Sequence, residues 1–395
     1  MGEPKRSLSQ TGGKVRRAGD PASAEILARC LAVDPKAKLP YTHGFHAYPA
    51  RMHPETAREA LAAFPDGPVL DPFVGSGTVA LEAVRAGRRF MGGDIVPPAV
   101  EIAWARTRVW HPDECRKFET AALALVDRAW DMSERADVTV PAWTLAERPW
   151  YDPHTLREIG VLSGMIEAEP ETHKRLLRVV LSSIVVKLSK QISDSDVKVD
   201  LYHRPRPRGA AFRAFKDRAS ELTKGLLQLS SDLYKRKVAY VEPEFRLVDA
   251  RTAVWPKATF GLVLSSPPYA GTYDYTFHQD RRYPIFGSDP MFPRAREMGS
   301  RRMQGRGYEV DLRKVLERIV PSLLPGGRIV LQMGDGREGE QDLKVEEVLP
   351  RVAAAVGLRV AATASQRRRD WSGGPPRHEH LVLLESAPSG KEARA

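Results

Sequence analysis

A glycine-rich turn between an apolar strand and a helix constrains the fold of this chain more than any other feature. Val69 and Leu70 lead into Asp-Pro-Phe-Val-Gly-Ser-Gly-Thr at residues 71–78, and a helix is predicted at residues 80–86. The glycines permit positive φ angles and let the main chain approach a ligand closely. The helix N-terminus offers N–H groups to a carboxylate or phosphate. The turn therefore predicts an α/β domain with a ligand site where a strand ends.

Strand and helix patterns alternate on both sides of a long, mainly helical segment at residues 111–243. Strands are predicted at residues 89–94, 245–249, 260–265, 328–333, 358–362 and 380–384, and helices at residues 97–109, 312–324 and 343–356. Repeated strand–helix units favour parallel strands joined by right-handed crossovers. We therefore expect an α/β fold with about seven strands in one doubly wound, mostly parallel, Rossmann-like sheet that carries a helical insertion.

Composition narrows the range of partners. The 395-residue chain has a formal net charge of +11, which favours a polyanionic partner through phosphate neutralisation, although arginine-rich proteins of GC-rich genomes carry a similar excess without one. Cys30 and Cys115 have no neighbours at metal-ligand spacing, so we expect no metal, no disulfide and a reducing, cytoplasmic location. With no long apolar run and no secretory signal, we also expect no membrane partner.

Acidic residues at the ends of neighbouring strands favour a nucleotide-like ligand. Asp94 ends the second strand, where its carboxylate could accept hydrogen bonds from ribose hydroxyls, and Asp249 ends the third, where it could hold an adenine amino group. The simpler alternative is that the two glycines only form a tight turn and Asp94 only caps the following helix. Dinucleotide dehydrogenases share the glycine pattern, with Ala80 as a tolerated third position, but they do not account for Asp71.

A second motif, Ser266-Pro267-Pro268-Tyr269, ends the apolar strand at residues 260–265. The prolines fix φ and lack N–H donors, so the backbone turns rigidly with its carbonyl oxygens exposed. The Ser266 side chain and the Pro267 carbonyl could accept hydrogen bonds from a planar amine, and Tyr269 could offer a flat face to an extruded base. Alternatively, the prolines only terminate the strand and Tyr269 only packs. Because the motif occurs together with the turn at residues 71–78, we predict that all four of its residues are catalytic.

The pair of motifs resembles the amino-methyltransferases, a family that includes cytosine-N4 and adenine-N6 DNA methyltransferases. The upstream segment His-Ala-Tyr-Pro-Ala-Arg-Met at residues 46–52 is similar to this family's additional cofactor motif. The resemblance covers roughly residues 43–110 and 244–385. It implies a Rossmann-like methyltransferase sheet and S-adenosyl-L-methionine as cofactor, with the glycine loop on its methionine part, the acidic residue of the next strand on its ribose, and the Ser-Pro-Pro-Tyr motif on the target amine.

These patterns define the predicted organisation. The predicted parts are a flexible basic tail at residues 1–22, a cofactor-binding half at residues 23–110, a helical insertion and possible target-recognition region at residues 111–243, a catalytic half at residues 244–386 and a flexible tail at residues 387–395. The predicted cofactor contacts are His46, Tyr48, Pro49, Asp71, Phe73, Gly75, Ser76, Gly77, Thr78, Asp94, Ile95, Asp249 and Ala250. For His43, His46 and His53 we expect packing or cofactor-pocket roles and no metal site, because the segment that carries them is rich in turns and proline and contains no carboxylate.

Two basic stretches are candidate DNA contacts. One lies in the insertion, where Pro–Arg alternation at residues 204–208 predicts an extended connector. The other follows the catalytic motif, where aromatic residues interleave with arginines and suit a flipped base and its flanking phosphates. The predicted contacts are Arg204, Arg206, Arg208, Tyr273, Tyr275, Arg281, Arg282, Arg301 and Arg302. For any single arginine, a solvated basic surface is the plainer alternative.

The target base is the least constrained part of the prediction. Serine at the first position of the tetrapeptide is the form most associated with cytosine-N4 enzymes, so we expect a DNA methyltransferase that flips a cytosine and methylates N4 directly. Adenine N6 in DNA and an exocyclic amine in RNA are alternatives, as is a catalytically silent nucleic-acid-binding subunit. The order of the motifs, with the cofactor half first, differs from the order commonest with an Asp-Pro-Phe loop and leaves the subclass open.

Overall fold

An eight-stranded sheet lies at the centre of the molecule. The computed structural model describes residues 11–34, 37, 39–48, 51–194, 196–301, 307–368 and 377–387. The strands, in chain order, are β1 (Thr11–Gly19), β2 (Val69–Asp71), β3 (Phe90–Asp94), β4 (Gln191–Ser193), β5 (Asp196–Val199), β6 (Glu244–Leu247), β7 (Phe260–Ser265), β8 (Leu323–Gly334), β9 (Gly336–Glu338), β10 (Gln341–Leu343), β11 (Leu358–Arg368) and β12 (Arg377–Ser386).

The sheet is doubly wound and mostly parallel. Its strands lie in the order β1-β11-β12-β8-β7-β2-β3-β6, and all but β12 and β1 run in one direction. From β2 the chain moves outward through β3 to β6, whereas from β7 it moves to β8 on the other side. The direction of winding therefore reverses between β2 and β7, the place where open α/β sheets bind ligands. This confirms the predicted α/β fold class.

Helices cover both faces of the sheet. In chain order they are α1 (Pro21–Leu31), α2 (Pro54–Ala63), α3 (Thr78–Arg85), α4 (Pro97–Arg106), α5 (Pro112–Ser133), α6 (Thr144–Glu147), α7 (Pro153–Ile166), α8 (Glu171–Leu188), α9 (Ala210–Lys235), α10 (Met291–Arg296), α11 (Tyr308–Ile319) and α12 (Val345–Ala354). Alternate residues of β7 show the arrangement: Leu262 and Leu264 pack with α1, α2 and α3, and Val263 packs with α11 and α12. Because both faces are buried, the strand is continuously apolar.

The helical insertion has an apolar core of its own. Apolar residues of α5, α7, α8 and α9 form a buried cluster that also includes residues of α4. Arg175 of α8 donates two hydrogen bonds, at 2.6 and 3.1 Å, to Glu101 of α4 and lies over the ring of Trp104. The insertion therefore packs against the helix that follows β3. The Pro–Arg segment at residues 204–208 contains no helix or strand, as its prolines predicted.

The N-terminal region differs from the prediction. Residues 11–19, predicted as part of a flexible tail, form β1 and pair with β11, and α1 begins at Pro21. Residues 1–10 and 388–395 lie outside the described residues. Because β1 forms the edge of the sheet, it carries polar and charged residues, as edge strands commonly do. In the sequence, such a composition cannot be distinguished from that of a flexible tail. This strand raises the number in the sheet from the expected seven to eight.

Two further findings concern the helices. The helix predicted at residues 312–324 begins at Tyr308 and ends at Ile319, because Leu323 and Leu324 belong to β8. Within the part of the chain that the structure describes, no helix combines the length and apolar character needed to cross a bilayer.

Candidate active site

A cleft lies at the carboxyl ends of β2, β3, β6 and β7, where the winding of the sheet reverses. Together with the open solvent at its mouth, the cleft contains about 910 Å³ of space. One residue at or just beyond the end of each strand lines it: Asp71, Asp94, Asp249 and Ser266. The predicted cofactor contacts that line it are Tyr48, Asp71, Phe73, Gly75, Ser76, Thr78, Asp94, Ile95, Asp249 and Ala250. The fold thus brings the two motifs into one cleft.

The glycine loop depends on its two glycines for different reasons. Gly75 has φ +48° and borders the cleft beside the ring of Tyr48. Gly77 has φ +80° and precedes α3, and a Cβ there would lie 2.8 Å from Cα of Ala103 in α4. Gly77 does not line the cleft. It was predicted as a cofactor contact, but the structure gives it a role in backbone geometry and helix packing.

Asp71 is a buried carboxylate at the end of β2. Its Oδ1 accepts hydrogen bonds from the Ser265 hydroxyl at 2.5 Å and from the Phe73 N–H at 3.1 Å. Burial raises the pKa of Asp71 to about 7, a change that these hydrogen bonds oppose. Asp71 therefore connects β2, the glycine loop and the last residue of β7.

Asp94 fixes the other side of the glycine loop. Its Oδ2 accepts the N–H of Gly75 at 2.9 Å and its Oδ1 accepts the N–H of Val96 at 3.0 Å. Burial raises the pKa of Asp94 to about 6. The bond to Val96, just before α4, agrees with the simpler interpretation of Asp94 as a helix-end residue. Each oxygen retains a lone pair for a further donor.

Asp249 is held by a neighbouring arginine. The backbone N–H and Nε of Arg251 donate to its Oδ1, both at 3.0 Å, and Nη2 donates to its Oδ2 at 2.7 Å. Burial alone would raise the pKa of Asp249, but the hydrogen bonds from Arg251 hold it below its usual value. Arg251 also pairs with Asp311 at 2.6 Å. The sequence prediction did not include this arginine, although it lines the cleft.

Three buried polar atoms on the cleft wall have no hydrogen-bond partner among the described residues. They are Ser76 Oγ, Thr78 Oγ1 and Arg51 Nε. The Arg51 Nη1 group donates to the carbonyl oxygens of His43 at 2.7 Å and His46 at 3.3 Å, and burial lowers the pKa of Arg51 to about 10. Buried polar groups without partners suit a polar ligand that supplies them. Arg51 lies in the upstream segment, yet the sequence prediction did not single it out.

The catalytic motif is only partly in the cleft. Ser266 and Pro268 line it, and the Pro268 carbonyl accepts the Tyr308 hydroxyl at 2.8 Å. Pro267 is buried and does not line the cleft. Tyr269 is 1% exposed, is absent from the cleft wall, and its hydroxyl donates to Glu379 at 2.9 Å. In this structure a buried carboxylate on β12 holds the Tyr269 hydroxyl, and Tyr269 does not border the cleft. Its stacking role stays a prediction.

The upstream segment contributes less to the cleft than predicted. His46 is buried, with Nδ1 2.9 Å from the Ala47 carbonyl oxygen and Nε2 3.0 Å from the Ser182 hydroxyl of α8. It therefore joins this segment to the insertion and does not line the cleft. Pro49, also a predicted contact, lies outside the described residues. His43 contacts Glu82 at 2.7 Å, and His53 caps α2.

The predicted nucleic-acid contacts divide into accessible and buried residues. Arg204, Arg208 and Arg301 are exposed, and Tyr273 and Tyr275 are partly exposed. Arg282 is 1% exposed and donates to the Ser182 carbonyl, the Gln279 side chain and Asp194. Its prediction as a nucleic-acid contact is therefore wrong, because it joins the catalytic half to the insertion.

The remaining predicted arginines have protein partners or fall outside the structure. Arg281 pairs with Glu147 and lies over the ring of Trp150, with its Cζ atom 4.3 Å from the ring centroid. Arg206 donates from Nη2 to the Lys187 carbonyl at 2.8 Å. Arg302 lies outside the described residues. A run of arginines in the sequence therefore did not show which of them face solvent.

The segment after α10 completes the cleft. Its residues Glu297 and Met298 line the cleft together with Arg296 of α10. Glu297 is 4% exposed, and burial raises the pKa of its carboxyl to about 7. Glu297 and Met298 were not predicted as functional residues, because a single acidic or apolar residue in a loop carries no pattern that would separate it from its neighbours.

Solved structures with weak overall similarity include several methyltransferases. They include a SAM-dependent methyltransferase of Leishmania major (10% identity, 84% of this chain and 70% of that chain, TM-score 0.32). Another is a SAM-dependent methyltransferase of Methanosarcina mazei (9%, 82% and 94%, TM-score 0.33). A third is the rRNA methyltransferase AviRa of Streptomyces viridochromogenes (13%, 92% and 94%, TM-score 0.32). The fold assignment rests on the strand order and not on these similarities.

One segment of the sequence matches a known protein family. No curated protein matches the chain. The model of a family described as DNA methylase, which covers N6 and N4 enzymes, matches residues 35–104. This segment contains the upstream segment, the glycine loop and Asp94, which line one side of the cleft. Over this segment, on the cofactor side of the sheet, the chain is therefore similar to the amino-methyltransferases.

Proposed function

We propose that this protein transfers a methyl group from S-adenosyl-L-methionine to the exocyclic amine of a base in DNA, with cytosine N4 as the target. One observation carries the proposal: the glycine loop and the Ser-Pro-Pro-Tyr turn, far apart in sequence, border the same cleft where the winding of the sheet reverses. A cofactor on the loop and an amine at Ser266 would then be neighbours.

The cleft residues fit such a cofactor. The unpartnered Arg51 Nε, Ser76 Oγ and Thr78 Oγ1 would receive the polar methionine end, because a carboxylate accepts hydrogen bonds from all three groups. Asp94 would accept from the ribose hydroxyls, and Asp249 from the adenine amino group. When bound, the cofactor supplies a methyl group on a positively charged sulfur, which an amine can attack directly.

The catalytic half supplies orientation. The Ser266 hydroxyl, which lines the cleft, would accept a hydrogen bond from the target amine and turn its lone pair toward the methyl group. A cysteine nucleophile does not fit this structure, because Cys30 and Cys115 are buried and burial raises their pKa values to about 12 and about 11. Direct attack by the amine requires no such nucleophile.

DNA is the proposed partner. Arg204, Arg208 and Arg301 are exposed and would neutralise phosphates. Serine at the first position of the tetrapeptide is the reason for choosing cytosine N4 over adenine N6. We place the enzyme in the cytoplasm, where both cysteines would stay reduced as they are in the structure.

A transfer assay with radiolabelled S-adenosyl-L-methionine tests this function. Duplex DNA, single-stranded DNA and total RNA are offered in parallel, and we expect transfer to DNA. Ser266→Ala should lower kcat by about 100-fold, the usual loss for a preorganised hydrogen-bonding group, and should leave cofactor affinity unchanged. The matched control Ser133→Ala, at the end of α5 and outside the cleft, should behave like the wild type.

Two results would count against the proposal. Tight cofactor binding without transfer to any nucleic acid would favour a catalytically silent binding subunit. Transfer to RNA alone would replace DNA with RNA as the substrate.

A further inference from the structure

A network of buried polar side chains borders the glycine loop outside the cleft. Its centre is Arg106, the last residue of α4, which is fully buried and does not line the cleft. The Arg106 guanidinium donates through Nη1 to the Ser76 carbonyl and through Nε, at 3.0 Å, to the Thr42 carbonyl. Its third group, Nη2, lies 3.0 Å from Nδ1 of His43. Arg106 therefore joins the glycine loop to the part of the chain that precedes α2.

The ring of His43 has one defined protonation state. Its Nε2 lies 2.7 Å from Oε1 of Glu82, and both side chains are buried. A guanidinium only donates hydrogen bonds, so Nδ1 accepts from Arg106 and carries no proton. The ring proton is then on Nε2, which donates to Glu82. Burial and the charge of Arg106 hold the pKa of His43 well below its usual value, in agreement with a neutral ring.

His43 is connected to two groups on the cleft wall. Its carbonyl accepts a hydrogen bond from Arg51 Nη1 at 2.7 Å, and Arg51 presents an Nε that has no partner among the described residues. Its ring acts through Arg106 on Ser76, whose Oγ likewise has no partner within the described part of the chain. Both groups are proposed contacts of the methionine carboxylate, so one buried histidine links them.

The buried charge of Arg106 distinguishes this network from ordinary core packing. Its partners among the described residues are two carbonyl oxygens and a ring nitrogen, and none of these is a carboxylate. A buried cation without an adjacent anion costs free energy. A ligand carboxylate bound beside Ser76 would bring a negative charge near Arg51 and Arg106 and offset part of this cost. The network therefore suits a ligand whose carboxylate binds at this end of the cleft.

We infer that His43 and Arg106 are positioning residues for the methionine part of the cofactor. His43 fixes the guanidinium of Arg106, and Arg106 holds the Ser76 carbonyl, which sets the direction of the Ser76 side chain. The role assigned to these residues rests on the cofactor site of the proposed function. Because neither residue lines the cleft, their loss should weaken cofactor binding and leave the transfer step unchanged once the cofactor is bound.

Two substitutions separate the two hydrogen bonds of the His43 ring. In His43→Asn, the amide oxygen lies close to the position of Nδ1 and can accept from Arg106, but the side chain is too short to reach Glu82. In His43→Gln, the amide nitrogen can replace Nε2 as the donor to Glu82, but no acceptor remains at the position of Nδ1. Each variant therefore keeps one bond and loses the other.

Calorimetry with S-adenosyl-L-methionine on the purified full-length variants tests the inference. We expect the cofactor Kd of His43→Asn to stay within about threefold of the wild type and that of His43→Gln to rise roughly tenfold. The Tm of the cofactor-free protein should fall in both, because each loses a buried hydrogen bond. The control is His111→Asn, at the exposed N-cap of α5, where asparagine is a favoured residue and no change is expected.

Arg106→Lys tests the second residue. Lysine keeps the charge but lacks the planar fork that reaches three acceptors at once. We expect the cofactor Kd to rise at least about tenfold, with kcat at saturating cofactor within about twofold of the wild type. A fall in kcat as large as the loss of affinity would place Arg106 in the transfer step and contradict a positioning role. If this variant does not fold, the His43 variants decide the question.

The outcomes distinguish these roles from the function on which they rest. Equal losses of cofactor affinity in His43→Asn and His43→Gln, or a larger loss in His43→Asn, would show that the network serves only the fold and would overturn the inference. If the wild type binds no cofactor, the proposed function fails and the inference falls with it. If the wild type binds the cofactor but methylates no nucleic acid, the proposed function fails, whereas a selective loss of affinity in His43→Gln still supports the inference.

Discussion

Asp71 is a buried carboxylate whose two hydrogen-bond donors reach the same oxygen. The Ser265 hydroxyl and the Phe73 N–H both donate to Oδ1, and burial raises the pKa of the group to about 7. An asparagine could keep both bonds through its own Oδ1 and would carry no charge to desolvate. The hydrogen bonds around the glycine loop therefore require Oδ1 of residue 71, whereas the negative charge of the Asp71 carboxylate opposes folding.

The variant Asp71→Asn should accordingly be more stable than the wild type, with an advantage that depends on pH. The pKa of Asp71 is higher in the folded state than its ordinary value of 3.8, so the folded protein binds more protons between these pH values. Wild-type stability therefore falls as pH rises toward 7 and is level above it. We expect the Tm advantage of Asp71→Asn to grow between pH 5 and pH 8. Over the same range, its advantage in free energy of unfolding should grow by at least about 1 kcal/mol.

Thermal unfolding of both proteins at the two pH values measures this effect. Asp66→Asn, at an exposed position just before β2, is the matched control and should give the same difference at both. An advantage of Asp71→Asn that stays constant with pH would mean that Asp71 is ionised in the folded protein throughout this range.

At the scale of elements, the approach of α3 to α4 sets the shape of the glycine loop. Gly77 lies at the start of α3, and its φ of +80° and its distance from Ala103 both exclude a side chain. Thr78 and Val79, the first residues of α3, line the cleft, and the N–H groups at a helix N-terminus can bind a polar ligand. A displacement of this helix should therefore affect the cofactor before it affects the rest of the sheet.

Gly77→Ala should lower both stability and cofactor affinity. Gly357 provides the matched control, because it has a similar φ of +77° and a Cβ added there would have no atom within 4 Å. Both variants carry the backbone strain of about 1–2 kcal/mol expected for alanine in this conformation, but only Gly77→Ala also meets α4. Denaturant unfolding and cofactor calorimetry on both variants should show a larger loss for Gly77→Ala, and only there a loss of affinity. Equal effects would contradict the packing argument.

Elements whose signal is local could be predicted from the sequence, and those fixed by distant contacts could not. The strand β7 and the loop after it were predicted because an apolar run ends abruptly in two prolines. The edge strand β1 was missed because its polar residues resemble a tail until β11 is known to lie beside it. Similarly, the orientation of Tyr269 depends on Glu379, and the burial of Arg282 depends on Ser182 and Asp194.

At the scale of the whole molecule, the two motifs are separated by a helical insertion that returns to the sheet. Arg175 fixes α8 to α4, and Arg282 joins the insertion to the segment after the catalytic loop. The insertion therefore contacts both halves of the cleft and buttresses it. The sequence prediction located the two motifs and the fold class. The residues that complete the cleft, such as Arg51 and Glu297, became evident only when the strands were placed side by side.

The identity of the modified nucleoside tests the central claim most directly. DNA is incubated with the protein and with S-adenosyl-L-methionine that carries an isotopically labelled methyl group, digested to nucleosides and analysed by mass spectrometry. We expect the label on an exocyclic nitrogen, as N4-methylcytosine. Label on N6 of adenine would change the base and keep the chemistry, whereas label on a ring carbon or a sugar oxygen would contradict direct transfer to an amine held at Ser266.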